Sequence, residues 1–91
     1  MHLPKIWIVD SAVDPVSHGS PVAIPGISKY TDDIKEQETV AIMTLKDELV
    51  AVGSAIMDSE KIGREEKGVA IKVDAVFMQP GVYPKYRKVN P

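Results

Sequence analysis

The chain has no cysteine, which excludes a disulfide-stapled scaffold of the kind small secreted proteins use. Its two histidines, His2 and His18, have no cysteine or second histidine at metal-ligand spacing, so no zinc site is expected. No apolar run approaches the ~20 residues of a membrane-spanning helix. The opening MHLPKIWIVD lacks the basic and apolar stretches of a signal peptide, and a cytoplasmic location is expected. There is no nucleophile elbow partnered by His and Asp. Neither Gly19–Gly26 nor Gly63–Gly68 runs on into the Lys-Ser or Lys-Thr of a phosphate-binding loop. Internal repeats and low-complexity tracts are missing too.

What is present is 91 residues, 44% of them hydrophobic and 26% charged. That describes one domain, burying roughly 60–65% of its unfolded surface. So small a core leaves little room for a catalytic cleft and its supporting shell, so a binding module is expected rather than an enzyme, with no cofactor. The net charge of −2 hides an asymmetry. Residues 31–66 carry ten acids against four bases, and residues 67–91 carry five bases against Asp74 alone. A basic end on an acidic protein either steers a phosphate backbone to one face or is simply a solvated terminus.

Along the chain, Lys5–Asp10 (KIWIVD) reads as a strand. Asp10 or Ser11 can cap a short helix, with Ser11 and Asp14 at capping-box spacing, and Gly19 ends it. Pro15 disturbs that helix. Gly19–Ser28 (GSPVAIPGIS) is a loop with a very short extended piece at Val22–Ile24 and a turn at Pro25-Gly26. Thr31–Glu38 is polar and reads as loop or a single helical turn. Val40–Leu45 and Leu49–Met57 form a hairpin across Lys46-Asp47-Glu48, apolar on both faces apart from Thr44 and Ser54. Gly53 marks a bulge or bend. Asp58–Lys67 is a second short helix, with Gly68 as its C-terminal glycine. Val69–Met78 alternates, placing Val69, Ile71, Val73, Ala75 and Phe77 on one face and Lys72 and Asp74 on the other. The expected fold is mostly β, a small barrel or pseudobarrel bent by glycine, with two short helices.

Several candidates have ordinary structural explanations. Asp32–Asp33 and Glu65–Glu66 sit in polar runs and are expected to be solvated. Met43, Met57 and Met78 lie in strand patterns as core filler. His18 is either a surface or capping histidine or a partner for a phosphate or base. Two segments stand out. Within His18–Ile27, glycine permits close backbone approach and exposed amides can bond base edges. In the tail Tyr83-Pro84-Lys85-Tyr86-Arg87-Lys88, aromatics alternate with bases, which suits stacking on nucleotides and pairing with phosphates.

The string DSAVD…HG…V…IPGI, followed by VAIMTLKDELVAVGSAIMDSEKI and KGVAIKVDAVFM…YP, resembles the PUA family. It is most similar to the C-terminal PUA domain of the archaeal dyskerin-like pseudouridine synthases of box H/ACA ribonucleoproteins. The PUA domain of archaeal tRNA-guanine transglycosylase is a weaker match. The resemblance spans residues 1–84 and leaves 85–91 as a basic tail. It implies a pseudobarrel of about five or six strands with two short helices. It also implies binding of structured RNA, either an H/ACA guide RNA at its lower stem and ACA box or the 3′ end of a tRNA. The contacts implied are His18, Gly19, Ser20, Val22, Ile24, Pro25 and Gly26, with Lys67, Lys72 and Lys85 reaching phosphates. A catalytic domain or ribonucleoprotein components are the implied protein partners; DNA and membrane are not. The sequence departs from the family pattern in having Pro15 and Ser17 in the first helix, Ser20-Pro21 for the usual Ala-Asp, and Gln79-Pro80-Gly81-Val82 near the end. The aspartate of a synthase belongs to a separate catalytic domain, so Asp10 and Asp14 are not assigned that role. The alternative is a protein-interaction module that docks a partner through its acidic middle or an apolar strand edge.

Overall fold

The computed structural model describes residues 3–79. Their elements are β1 (Lys5–Ile8), α1 (Asp10–Ser17), β2 (Val22–Ala23), a single 3-10 turn (Ile24–Gly26), β3 (Ile27–Tyr30), β4 (Thr39–Met43), β5 (Leu49–Ala55), α2 (Ser59–Arg64) and β6 (Val69–Val76). All six strands join one curled, nearly closed sheet in the order β2-β6-β5-β4-β1-β3. The pairing is antiparallel except between β1 and β4. The inner face carries the core: Ile6, Ile8, Val40, Ile42, Val50, Ala51, Ala55 and Ile71 are buried, and Val13 and Val16 of α1, Ile34 and Ile62 close over them. Burial of this aliphatic set is the main favourable term for so small a fold.

Local chemistry explains most elements. In the β4–β5 hairpin, the buried Thr44 hydroxyl accepts from the amides of Lys46 and Glu48, both at 3.1 Å, so the turn is tied from inside. Gly53 sits at a register shift between β5 and β6, and a Cβ there would collide with the carbonyl of Lys72. The bend expected at Gly53 is thus a point of backbone contact. α2 starts at Asp58, whose carboxylate accepts from the Lys61 amide at 2.9 Å.

Four local expectations are corrected. Residue Val9, with φ −69 and ψ 158, is the N-cap of α1, and no side chain caps the helix, so the Ser11–Asp14 capping box does not form. Gly68 is not the cap of α2, which ends at Arg64; with φ +120 it is the hinge just before β6. Ile27–Tyr30, of which Ile27 and Ser28 are read as loop and the other two left unassigned, is a strand because β1 supplies its ladder partner. Finally, the alternation of β6 fails. The bulge opposite Val52/Gly53 shifts its register, Ala70 and Ile71 are both buried, and Phe77 is 62% exposed.

Of the three methionines in strand patterns, Met57 and Met78 pack against the core, while Met43 lies half-buried outside it. Among the described residues no helix is long and apolar enough to cross a membrane.

Candidate nucleic-acid interface

The segment leaving α1 is built by a few main-chain bonds. His18 is the C-cap, and its amide and that of Ser20 both donate to the Pro15 carbonyl at 3.0 Å. The Gly19 amide donates to Val16 at 2.8 Å. Gly19 then turns the chain at φ +95, and nothing lies within 4 Å of where a Cβ would stand. A larger residue at 19 is therefore opposed by its own backbone conformation, not by protein packing.

From Pro21 the chain joins the sheet edge. Val22 pairs with Ile71 and Ala23 with Val69, and the Ile24 amide donates to Gly68 at 2.9 Å. These bonds correct the expectation of bare amides, since those of Gly19, Ser20 and Ile24 are all donated inward. With those amides used and Pro21 and Pro25 carrying no N–H, the hydrogen-bonding capacity left to this largely exposed segment lies mainly in the Ser20 hydroxyl and in main-chain acceptors. Such a surface accepts hydrogen bonds, which matches 2′-hydroxyl and exocyclic amino donors.

The structure sorts the expected contact residues. His18, Gly19 and Ser20 are exposed together at the end of α1. Val22 is buried in the core, so its side chain packs rather than contacts. Ile24 and Gly26 are half-buried. A Cβ on Gly26 would stand 3.2 Å from that of Ala12, so this glycine lets the 3-10 turn lie against α1. Lys67 is exposed and immediately precedes Gly68, the residue that holds Ile24. Lys72 is exposed on the outer face of β6, in register with Ser54 and Thr39. Lys85 and the rest of the tail lie outside the described residues.

His18 is fixed by its own helix. Its Nδ1 lies 2.9 Å from the Asp14 carbonyl, which can only accept, so Nδ1 carries the hydrogen. In the neutral ring Nε2 is then an outward acceptor. The Asp14 carboxylate stands 3.8 Å from the same nitrogen. Glu65 and Glu66 directly precede Lys67, so the positive potential around that lysine is moderated. Two contributors went unread in the sequence: Pro15, through its doubly used carbonyl, and Gly68. Their signals, a proline late in a helix and a Lys-Gly before a strand, carry no chemistry of their own. No group of three His, Cys, Asp or Glu among the described residues could hold a metal.

A curled six-stranded sheet that presents a pinned acceptor segment beside a short helix defines a small recognition module. The chain belongs to the PUA domain family, whose model matches residues 4–77. It is 55% identical over 84 residues to the probable tRNA pseudouridine synthase B of Pyrococcus furiosus, and 51% identical over 83 residues to that of Pyrobaculum arsenaticum. These matches cover 92% and 91% of this chain but only 25% of either relative. The matching region is the PUA part, so the catalytic domain of such a synthase is not among these 91 residues. Among solved structures, a chain of an H/ACA ribonucleoprotein bound to a substrate RNA containing 2′-deoxyuridine aligns with TM-score 0.89 and 55% identity, covering 92% of this chain and 26% of that one. A PUA domain protein of Thermoplasma acidophilum aligns with TM-score 0.80 at 21% identity over 90% of this chain and 56% of that one, a likeness of fold alone.

Proposed function

We propose that the chain binds structured RNA through the surface formed by His18, Gly19, Ser20, Pro25 and Lys67, as the RNA-holding domain of a pseudouridine synthase that works in the cytoplasm. The observation that carries this reading is the 55% identity to a chain solved in an RNA-bound H/ACA ribonucleoprotein. The RNA is a guide RNA with its lower stem and ACA box, or the 3′ end of a tRNA. Residues 1–84 form the domain, and 85–91, with Lys85, add phosphate contacts. Main-chain acceptors and the Nε2 of His18 read unpaired nucleotides, while lysines hold the backbone.

The test is titration of the chain with an RNA hairpin ending in ACA, at several salt concentrations. Affinity is expected to fall with salt at a log–log slope of about two to three, and Lys67→Gln to reduce that slope by about one. Replacing the ACA tail by UUU is expected to weaken binding. Affinity indifferent to both salt and tail would overturn the reading.

A further inference from the structure

A second surface lies one strand away from the acceptor segment. An open cleft of about 460 Å³ runs between the turn at residues 35–38 and β6, a size within the range of small-ligand sites. It is lined by Glu36, Gln37, Ser54, the buried Ala55, the exposed Ile56 and Lys72. Two nearby carboxylates are already engaged: Glu38 accepts from the Lys35 amide at 2.9 Å, and Asp74 accepts from the Ser54 hydroxyl at 2.5 Å. Glu36, Gln37 and Lys72 have no side-chain partner among the described residues. Gln37 is held in the left-handed region at φ +72, with its amide donating to Ala55 at 2.7 Å. That conformation is costly for a residue with a Cβ, and here it stands its side chain at the cleft wall.

These groups match the edge of a nucleobase that carries an exocyclic amino group. A primary amide offers one acceptor and one donor side by side, the complement of an amino group beside a ring nitrogen. A carboxylate next to it takes the second amino hydrogen and repels a carbonyl oxygen in the same place. The apolar surface of Ile56 in the lining suits the face of a flat ring, and the Lys72 ammonium suits a phosphate. We infer that this cleft holds a single unpaired adenine or cytosine nucleotide, with Gln37 and Glu36 on the base edge, Ala55 and Ile56 beneath the ring and Lys72 on the phosphate. The inference rests on the RNA reading for its biological setting. Ile71 of β6 pairs with both Val22 and Ala55, so the cleft lies about 10 Å from the acceptor segment, two strand spacings across the sheet. An RNA strand lying on that segment can reach it with its next few nucleotides.

The experiment is a titration of the 15N-labelled chain with AMP, CMP and UMP, followed by amide chemical shifts. AMP and CMP are expected to move the amides of Gln37, Ala55, Ile56 and Lys72, and UMP at the same concentration to leave them in place. Gln37→Gly removes the amide while favouring the observed backbone conformation, so it is expected to keep the folded spectrum and weaken AMP binding at least fivefold. Equal response to UMP, shifts confined to other residues, or full AMP affinity in Gln37→Gly would overturn the inference. The hairpin titration separates the two readings. Salt-dependent hairpin binding with no nucleotide response at the cleft removes the cleft alone. A nucleotide response at the cleft without hairpin binding removes the RNA reading and leaves the cleft standing.

Discussion

At the scale of single residues, the glycines show how much the same residue type conceals. Gly53 and Gly63 both interrupt regular elements, and the sequence alone marks one as a bend and the other as a weak point in a helix. The structure gives each a contact. At Gly53 an added Cβ would meet the Lys72 carbonyl, which is backbone and cannot step aside. At Gly63 it would stand 2.5 Å from the Tyr30 hydroxyl and 3.8 Å from the ring carbon bearing it. The obstruction at Gly63 is therefore a single oxygen. Gly63→Ala alone is expected to destabilise by about 1–2 kcal/mol, the overpacking outweighing the gain in helix propensity. In a Tyr30→Phe background the same change is expected to be neutral or to stabilise by up to ~1 kcal/mol. A double-mutant cycle from urea midpoints measures the difference, and additive effects would show that the hydroxyl is not the obstacle.

At the scale of elements, what could be read from sequence depended on whether the deciding interaction was local. The hairpin was legible because Thr44 and the polar turn lie within a few residues of one another, and α2 because Asp58 reaches only to Lys61. Residues 27–30 were not legible, because ISKY becomes a strand only when Ile6 and Trp7, more than twenty residues earlier, pair with it. The pattern of β6 misled for the same reason, since its bulge is set by the close approach of Gly53 on another strand. In the candidate interface, His18, Gly19 and Ser20 could be placed at a helix exit from sequence. The inward use of their amides could not, because it depends on Pro15 and Gly68. The N-cap of α1 lies one or two residues before the Asp10 or Ser11 that the sequence suggests, and this yields a prediction. Val9 has the extended conformation of an N-cap but no oxygen to offer. Val9→Thr keeps the side-chain shape and adds one, so it is expected to raise stability by about 0.5–1 kcal/mol. Thermal unfolding with the Val9→Ala variant as reference tests this, and no gain over Val9 would mean that the hydroxyl fails to reach the amides of the first turn.

At the scale of the whole molecule, the sheet order stitches distant parts of the sequence together. β1 pairs with β3 on one side and with β4, in parallel, on the other, while β2 pairs with β6. The first strand is therefore an interior strand that joins β3 to the rest of the sheet, and the acceptor segment at residues 19–24 is held in place by the last strand. No contiguous stretch keeps a core of its own if another is removed, so neither the loop face nor the cleft should open as a separate unit. Trp7, the only tryptophan, reports on this assembly. It sits on β1, its indole N–H donates to the Asp47 carboxylate in the β4–β5 turn at 2.6 Å, and the Lys29 ammonium of β3 lies 4.7 Å from its ring centre. Its emission thus senses β1, β3 and the hairpin at once, whereas far-UV circular dichroism senses every strand and both helices. The two signals are expected to give the same urea midpoint and the same slope, about 1 kcal/mol per M, as for all-or-none unfolding of a domain this small. Refolding is expected on the millisecond-to-second scale, because the pairings that define the sheet are non-local. If the tryptophan transition precedes the dichroism transition, β1 detaches while β4–β6 persist, and the interface would then rest on a subdomain rather than on the closed sheet.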